Sequence, residues 1–256
     1  MSKKAWAIPI RCVDYSNSSQ VVTLFSDRTG LVEGIAKGAY RPSSSFQGPF
    51  DLAVLYDVVF LERRSSGLVL LTESTVLDGF RGLRTSWARY LAASHVIEFL
   101  RTVITSGEEA GPLFALVLRT FHDLATYDES ELSSVLLSFD LQALRLLGLL
   151  PPVRACVKCG RLWPESQSAA FFSPCAGGLV CRTCRQSSPE LSTRRLAGGA
   201  IRLLQHLSES EEARPVAELE SDWQLHRRLI TSTIHEMRNH LLERELTVLK
   251  SRTYLG

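Results

Sequence analysis

The sequence predicts an α+β protein in which an N-terminal five-stranded β-barrel is followed by an α-helical domain with a four-cysteine knuckle. Short runs rich in β-branched residues fill residues 5–77, and runs with helical apolar spacing begin at residue 86. Two C-x2-C pairs interrupt the helical part. We expect a barrel domain at residues 1–80 and a helical domain at 81–256, with the cysteine-bearing insertion at about 154–188.

Five segments of the barrel region have the composition of β-strands: "AWAIPIRCV", "QVVTLFS", "LVEGIAKG", "DLAVLYDVVFLE" and "GLVLLTESTVL". Turn-forming sequences such as "DYSNSS", "SDRTG" and "RPSSS" separate them. No helix long enough for a parallel crossover lies between the strands. We therefore expect a closed or half-open antiparallel barrel of the OB type, and an SH3-like barrel is the alternative.

Three helices are predicted after the barrel, at residues 86–104, 111–125 and 129–150. Pro112 stands at a plausible first position of the second helix, and Pro151 follows the third. The third helix is apolar on nearly every side, which predicts a place at the centre of a bundle. A further helix is predicted by apolar residues at three- and four-residue steps: Ile230, Ile234, Met237 and Leu241.

The cysteine-rich stretch contains two C-x2-C hooks with 21 residues between them. This spacing is typical of zinc sites, because the chain can loop out and return both hooks to one tetrahedral centre. Four thiolates leave no open position on the ion, so we expect one structural zinc per chain. The predicted ligands are Cys156, Cys159, Cys181 and Cys184.

The two remaining cysteines have other predicted roles. Cys175 could replace Cys181 as a ligand, but it has no hook partner, and we interpret it as a neighbouring thiol. Cys12 lies within the first strand, where a free cysteine usually behaves as a small buried apolar residue.

Charge is distributed unevenly along the chain, although the formal net charge is only +2. Residues 86–144 carry three basic and eight acidic groups, whereas residues 145–202 carry nine basic and two acidic groups. The second block suggests a face for an anion, with an ordinary solvated surface as the alternative. No targeting sequence and no membrane-spanning run are recognisable, so we expect a cytoplasmic protein without a membrane partner.

Sequence motifs of catalysis are not recognisable. The chain has no G-x-x-x-x-G-K-[ST] loop, and His235 followed by Glu236 lacks the second histidine of a zincin helix. The six histidines are scattered. We therefore expect a protein that is not an enzyme.

Longer motifs resemble RecO, a family of bacterial recombination mediators. The segment "VVTLFSDRTGLVEGIAKGAYRPSSSFQG" is similar to that family's barrel signature. The segment "LQALRLLGLLPPVRACVKCG" resembles the family's link between its central helix and the first hook, and "GGLVCRTC" its second hook. Recognisable motifs cover about the first 190 residues.

The resemblance implies a mediator of DNA repair that binds single- and double-stranded DNA and anneals complementary strands. It also implies binding to RecR and to the acidic C-terminal tail of single-strand-binding protein, with RecA loading as the indirect result. Basic and aromatic side chains on one barrel loop suit a strand-binding role: Lys37, Tyr40, Arg41 and Phe46. The reserve candidates for DNA contact surround the hooks: Arg154, Lys158, Arg161, Arg182 and Arg185.

Arg145 is the candidate contact for the acidic tail, because it emerges from the apolar segment "FDLQALRLLGLL". An internal ion pair with Asp140 or a neighbouring glutamate is its alternative role. Two other functions stay open at this point. One is a zinc-stabilised adaptor that binds only proteins, and the other is a metalloenzyme that uses Cys175 as a labile fifth ligand.

Overall fold

The computed structural model describes residues 2–42, 44–61, 67–104, 110–163, 169–209 and 220–241. The chain divides into two compact units, Met1–Thr126 and Tyr127–Gly256. The first unit contains the barrel and two helices, and the domain division after residue 80 stays a prediction. None of the described helices combines the length and the apolar character needed to cross a membrane.

The barrel of the first unit is closed and has the strand order β1-β2-β3-β5-β4. This arrangement confirms the predicted five-stranded barrel of the OB type. The predicted antiparallel pairing is wrong at one point, because β3 and β5 pair in parallel while β4 lies between β5 and β1. The strands are β1 Ser2–Ser16, β2 Ser19–Ser26, β3 Gly30–Ala36, β4 Leu55–Leu61 and β5 Val69–Asp78.

Three aromatic side chains form a cluster within the barrel core. The ring of Phe50 lies 5.8 Å from that of Phe46 and 4.8 Å from that of Tyr56, centroid to centroid. Phe46 is only 7% exposed and packs with the strand residues of the core. It offers no free ring face to a base, which corrects the expectation that Phe46 stacks on DNA.

Two helices complete the first unit, α1 Trp87–Val103 and α2 Gly111–Thr126. The Ser86 side chain caps α1 by accepting a hydrogen bond from the Arg89 amide. Pro112 lies in the first turn of α2, as predicted. The ring of Phe114 on α2 lies 5.3 Å from that of Phe25 on β2, so this helix packs on the barrel.

The third helix, α3 Leu132–Leu146, is buried on almost every side, as its composition predicted. It ends four residues earlier than expected, because Gly148 adopts a left-handed conformation with φ 70°. The Gly148 amide donates to the Arg145 carbonyl, and the Leu149 amide donates to the Leu144 carbonyl at 2.7 Å. These two bonds form a Schellman motif, which closes a helix before any proline is reached.

After α3, the described residues of the second unit form a small sheet and three α-helices. The sheet has the order β7-β6-β8, and its strands are β6 Ala169–Ser173, β7 Gly178–Val180 and β8 Arg194–Ala197. The helices are α4 Arg182–Ser187, α5 Gly198–Glu209 and α6 Glu220–Leu241. Ile230, Ile234 and Met237 are fully buried, which confirms the predicted stripe, whereas the side chain of Leu241 lies outside the described part of the chain.

Candidate metal centre and nucleic-acid interface

The two cysteine hooks meet in the second unit. The four Sγ atoms of Cys156, Cys159, Cys181 and Cys184 all lie within 4.8 Å of one another. The Sγ atoms of Cys159 and Cys181, one from each hook, are 3.8 Å apart. The predicted four-cysteine cluster is therefore present.

The spacing of these sulfur atoms fits a tetrahedral metal ion. With a zinc–sulfur distance of about 2.3 Å, neighbouring ligands of a tetrahedron lie about 3.8 Å apart. The distance across the two hooks has this value. Thiolate ligands in a closed set of four are also the donors that structural zinc sites use. The residues present thus suit zinc.

Backbone turns shape each hook. The Gly160 amide donates to the Cys156 carbonyl at 2.9 Å, and Gly160 has a φ of 70°. Gly177 has the same positive φ, a conformation that favours glycine. Gly178 is required for close packing and not for a positive φ, because a Cβ there would lie 2.6 Å from the Val157 side chain in the first hook. Its missing side chain lets β7 approach that hook.

Hydrogen bonds from the backbone prepare the sulfur atoms for a cation. The Cys181 amide donates to the sulfur of Cys156 at 3.3 Å, and the Cys184 amide donates to that of Cys181 at 3.4 Å. Burial opposes ionisation of Cys156, but amide donors, the first of them from Cys181, outweigh it and lower its pKa to about 6. The Cys184 amide likewise lowers the pKa of Cys181.

The fourth thiol of the cluster differs from Cys156 and Cys181 in the direction of its pKa shift. Hydrogen bonds with the sulfur atoms of Cys181 and Cys159 raise the pKa of Cys184 to about 12. Four neighbouring thiolates repel one another unless a cation compensates their charge. A divalent ion is therefore the group that would bring all four sulfur atoms into the thiolate form.

Cys175 and Cys12 lie outside the sulfur cluster. Cys175 is exposed in the turn between β6 and β7. Cys12 is half-buried on β1 and packs against the barrel core. Burial, followed by the charge of Asp51, raises the pKa of the Cys12 thiol to about 12, so this cysteine stays a neutral thiol.

Exposed cations surround the cysteine cluster. Lys158, Arg161, Arg182 and Arg185 are all exposed to solvent. Arg154 is exposed as well, but it forms an ion pair with Glu209 at 2.6 Å. Five basic residues were predicted as DNA contacts near the hooks. Among the described residues, Arg154 is the one of these five that pairs with a carboxylate.

The barrel loop presents three of its four predicted residues at the surface. Lys37, Tyr40 and Arg41 are exposed in the turn after β3. The Arg41 amide donates to the Gly38 carbonyl at 2.9 Å, which holds the turn. The Tyr40 hydroxyl donates to a carboxylate oxygen of Asp14, and this hydrogen bond raises the pKa of Tyr40. The tyrosine ring is therefore fixed beside two cations.

Arg145 is exposed in the last turn of α3, next to Leu146, which is 47% exposed. It forms no ion pair with the carboxylates that the structure describes, so the alternative pairing with Asp140 is not seen. A cation at this position also interacts favourably with the carbonyl end of the helix. Because the side chain is exposed, its position in an apolar segment carries no burial cost.

Sequence reasoning missed three residues that lie near the predicted cations: Trp163, Phe171 and Arg195. They line one cavity together with Arg161, Arg182 and Arg185. The aromatic residues of "LWPESQSAAFF", which stand between the hooks, were the available signal. Their convergence depends on the pairing of β6 with β8, which the sequence did not predict.

Comparison with known proteins gives a consistent assignment. A family model described as "Recombination protein O N terminal" matches residues 1–80, and one described as "Recombination protein O C terminal" matches residues 84–250. A protein of Rhodopirellula baltica named DNA repair protein RecO is 34% identical over 82% of this chain and 76% of its own length. A protein of the same name from Anaeromyxobacter dehalogenans is 30% identical over 84% of this chain and 82% of its own.

A relative from Desulfitobacterium hafniense that carries this name is 28% identical over 80% of this chain and 73% of its own length. The two family models together account for both the barrel and the cysteine-bearing helical region. With its closed five-stranded barrel and its four-cysteine cluster, the chain belongs to the RecO family of recombination proteins.

Proposed function

We propose that this chain is a non-catalytic recombination mediator of DNA repair that binds single- and double-stranded DNA in the bacterial cytoplasm. The observation that carries the proposal is the group of exposed cations around the cysteine cluster: Lys158, Arg161, Arg182 and Arg185. Family membership and the names of the relatives support the link to DNA repair. Phosphate contacts by such side chains supply most of the affinity in sequence-independent DNA binding.

The barrel contributes a second contact surface in this proposal. Lys37 and Arg41 present positive charge in the turn after β3, and Tyr40 between them is 40% exposed. Barrels of the OB type bind single strands through basic grooves with stacking aromatics. Because the hydroxyl of Tyr40 is bonded to Asp14, its ring is ordered before a base arrives.

Zinc has a structural role in the proposal. The four cysteine ligands would occupy every position of a tetrahedral ion, which leaves none for water or a substrate. The ion would tie the segment before β6 to the start of α4. The basic side chains that flank each hook would then be held in fixed positions.

The proposed protein partners follow from family membership. We assign to this chain the binding of RecR and of the acidic tail of single-strand-binding protein, so that strands anneal and RecA is loaded indirectly. Arg145 and the exposed Leu146 support a tail contact, since they place a cation beside an apolar side chain. An acidic peptide with a terminal aromatic residue requires that combination.

A titration of labelled oligonucleotides at several salt concentrations tests the proposal. The logarithm of the association constant should fall linearly with the logarithm of the salt concentration, because bound phosphates release counterions. In the variant Lys37→Ala with Arg41→Ala, the slope should become shallower by about 1.5 to 2. Glu33→Gln, on the neighbouring strand β3, is a control that removes a charge of the opposite sign.

One result would contradict the proposal as a whole, and another would contradict only its barrel contact. Absence of oligonucleotide binding by the zinc-loaded protein would favour the adaptor that binds only proteins. An unchanged slope in the double variant, with binding retained, would exclude the barrel loop and restrict the DNA contact to the cations near the cysteine cluster.

A further inference from the structure

A cavity of about 590 Å³ lies beside the cysteine cluster, and Cys181 forms part of its wall. Its volume falls in the range of about 300–1,000 Å³ that is usual for sites of small organic groups. We call it the arginine cavity and define it by six side chains: Arg161, Trp163, Phe171, Arg182, Arg185 and Arg195.

One wall of the arginine cavity is built by strand pairing. Phe171 on β6 is the register partner of Arg195 on β8. Arg185 on α4 lies over the Phe171 ring, with its guanidinium carbon 4.2 Å from the ring centroid. The Arg185 Nε also donates to the Thr193 hydroxyl at 3.1 Å. A ring, a stacked guanidinium and a second cation are thus held side by side.

The other wall comes from the chain after the first hook. The Cys156 amide donates to the Arg161 carbonyl at 2.8 Å, and the Trp163 amide donates to the Arg154 carbonyl at 2.7 Å. These bonds fix the backbone on both sides of Leu162. The indole of Trp163 is half-buried and packs against the core of the second unit. One part of this ring system is therefore anchored while the rest borders the cavity.

Charge in the arginine cavity is unbalanced. Four arginines line it, and the described lining contains no carboxylate. Arg161, Arg182 and Arg195 form no ion pair with any carboxylate that the structure describes. The neighbouring residue Arg194 differs, since it forms an ion pair with Glu236 at 2.5 Å. Cations that are not neutralised by the protein favour an anionic ligand.

We propose that the arginine cavity receives one nucleotide of a single DNA strand. The phosphates would contact the arginines, and the base would stack on Trp163 or on the Phe171–Arg185 pair. A base within a duplex is already stacked and cannot reach these faces, whereas an unpaired base can. The inference deepens the proposed function, on which it rests, by assigning the single strand to a specific site near the cysteine cluster.

Two adjacent arginines provide a matched test. Arg195→Ala and Arg194→Ala remove the same charge from neighbouring positions of β8, but only Arg195 lines the cavity. We expect Arg195→Ala to weaken binding of a labelled oligothymidylate on the order of tenfold. Arg194→Ala should change it by less than about twofold, because Arg194 lies outside the cavity lining and its charge is paired with Glu236. Both variants should retain zinc and melt near the wild-type temperature.

Trp163→Leu tests the stacking part of the proposal and keeps an apolar side chain against the core. It should weaken oligothymidylate binding on the order of tenfold and leave the affinity for a blunt duplex of equal length nearly unchanged. In the wild-type protein, oligothymidylate should also quench tryptophan fluorescence more than it does in Trp163→Leu.

Each contrary result has a distinct meaning. Equal losses in Arg194→Ala and Arg195→Ala would overturn the cavity assignment and leave a diffuse basic surface. Equal losses of single-strand and duplex affinity in Trp163→Leu would overturn the nucleotide assignment. If an acidic peptide binds in the cavity and oligothymidylate does not displace it, the cavity would be assigned to a peptide instead. Failure of the wild-type protein to bind any DNA would contradict the proposed function itself.

Discussion

Cys175 and Cys181 are separated by only five residues, yet only Cys181 belongs to the sulfur cluster. Cys175 is exposed in the turn between β6 and β7, whereas Cys181 caps the start of α4 and accepts a hydrogen bond from the Cys184 amide. A thiol at a helix start is fixed in direction, and a thiol in an exposed turn is not. Local backbone structure therefore distinguishes the proposed ligand from the spectator.

Substitution of single cysteines tests the ligand assignment. Cys159→Ser and Cys181→Ser should lose most of the bound zinc and several kcal/mol of folding free energy, because metal binding also stabilises the fold. Cys175→Ser is the matched control and should keep about one zinc per chain. Metal analysis and thermal melting measure both effects. Loss of zinc in Cys175→Ser, with retention in Cys181→Ser, would show that the ligand set is wrong.

Arg145→Ala tests the proposed tail contact at the end of α3. Calorimetry with an acidic peptide that ends in an aromatic residue should show affinity reduced on the order of tenfold, since an exposed cation beside an apolar side chain is removed. Arg228→Ala removes the same charge from an exposed position of α6 and should have little effect. A large loss of stability in Arg145→Ala with unaltered affinity would assign this residue to the fold.

At the scale of elements, helix α3 depends on one glycine for its end. Gly148→Ala places a Cβ at a position with φ 70° and should lower the free energy of unfolding by about 1–2 kcal/mol. The melting temperature should then fall by about 2–8 °C. Gly67→Ala is a control without positive φ, and no atom of the described residues lies within 4 Å of its new methyl group. Equal stability of the two variants would contradict the Schellman closure.

Local sequence patterns predicted most of these elements, because strand alternation and helical spacing are visible within one segment. The barrel strands, α1, α2 and α3 are examples. The parallel pairing of Gly34 with Val69 and the pairing of Phe171 with Arg195 escaped prediction. Both pairings join segments of the chain whose pairing is not indicated by any pattern in a single sequence. The four-cysteine cluster was predictable because the spacing of its two hooks alone indicates that they meet, whereas the arginine cavity depends on strand pairing.

At the scale of the whole molecule, the cysteine cluster lies in only one of the two compact units. The barrel unit has its own core of aromatic and branched side chains. We expect calorimetric unfolding of the zinc-loaded protein to contain two transitions, and a chelator should lower only one of them. A single transition that moves as a whole on chelation would show that the two units unfold together.

The closed barrel also has a consequence for the order in which the chain folds. Lys3 pairs with Phe60 and Gly34 with Val69, so closure joins strands that are distant in sequence. Chain entropy must be lost before such contacts form, which slows folding, whereas α1 and α2 gain contacts from near neighbours. During synthesis the meander of β1, β2 and β3 emerges before β4 and β5, so its β1 edge stays unpaired until β4 emerges and its β3 edge until β5 emerges. That interval is when the nascent protein is most exposed to aggregation.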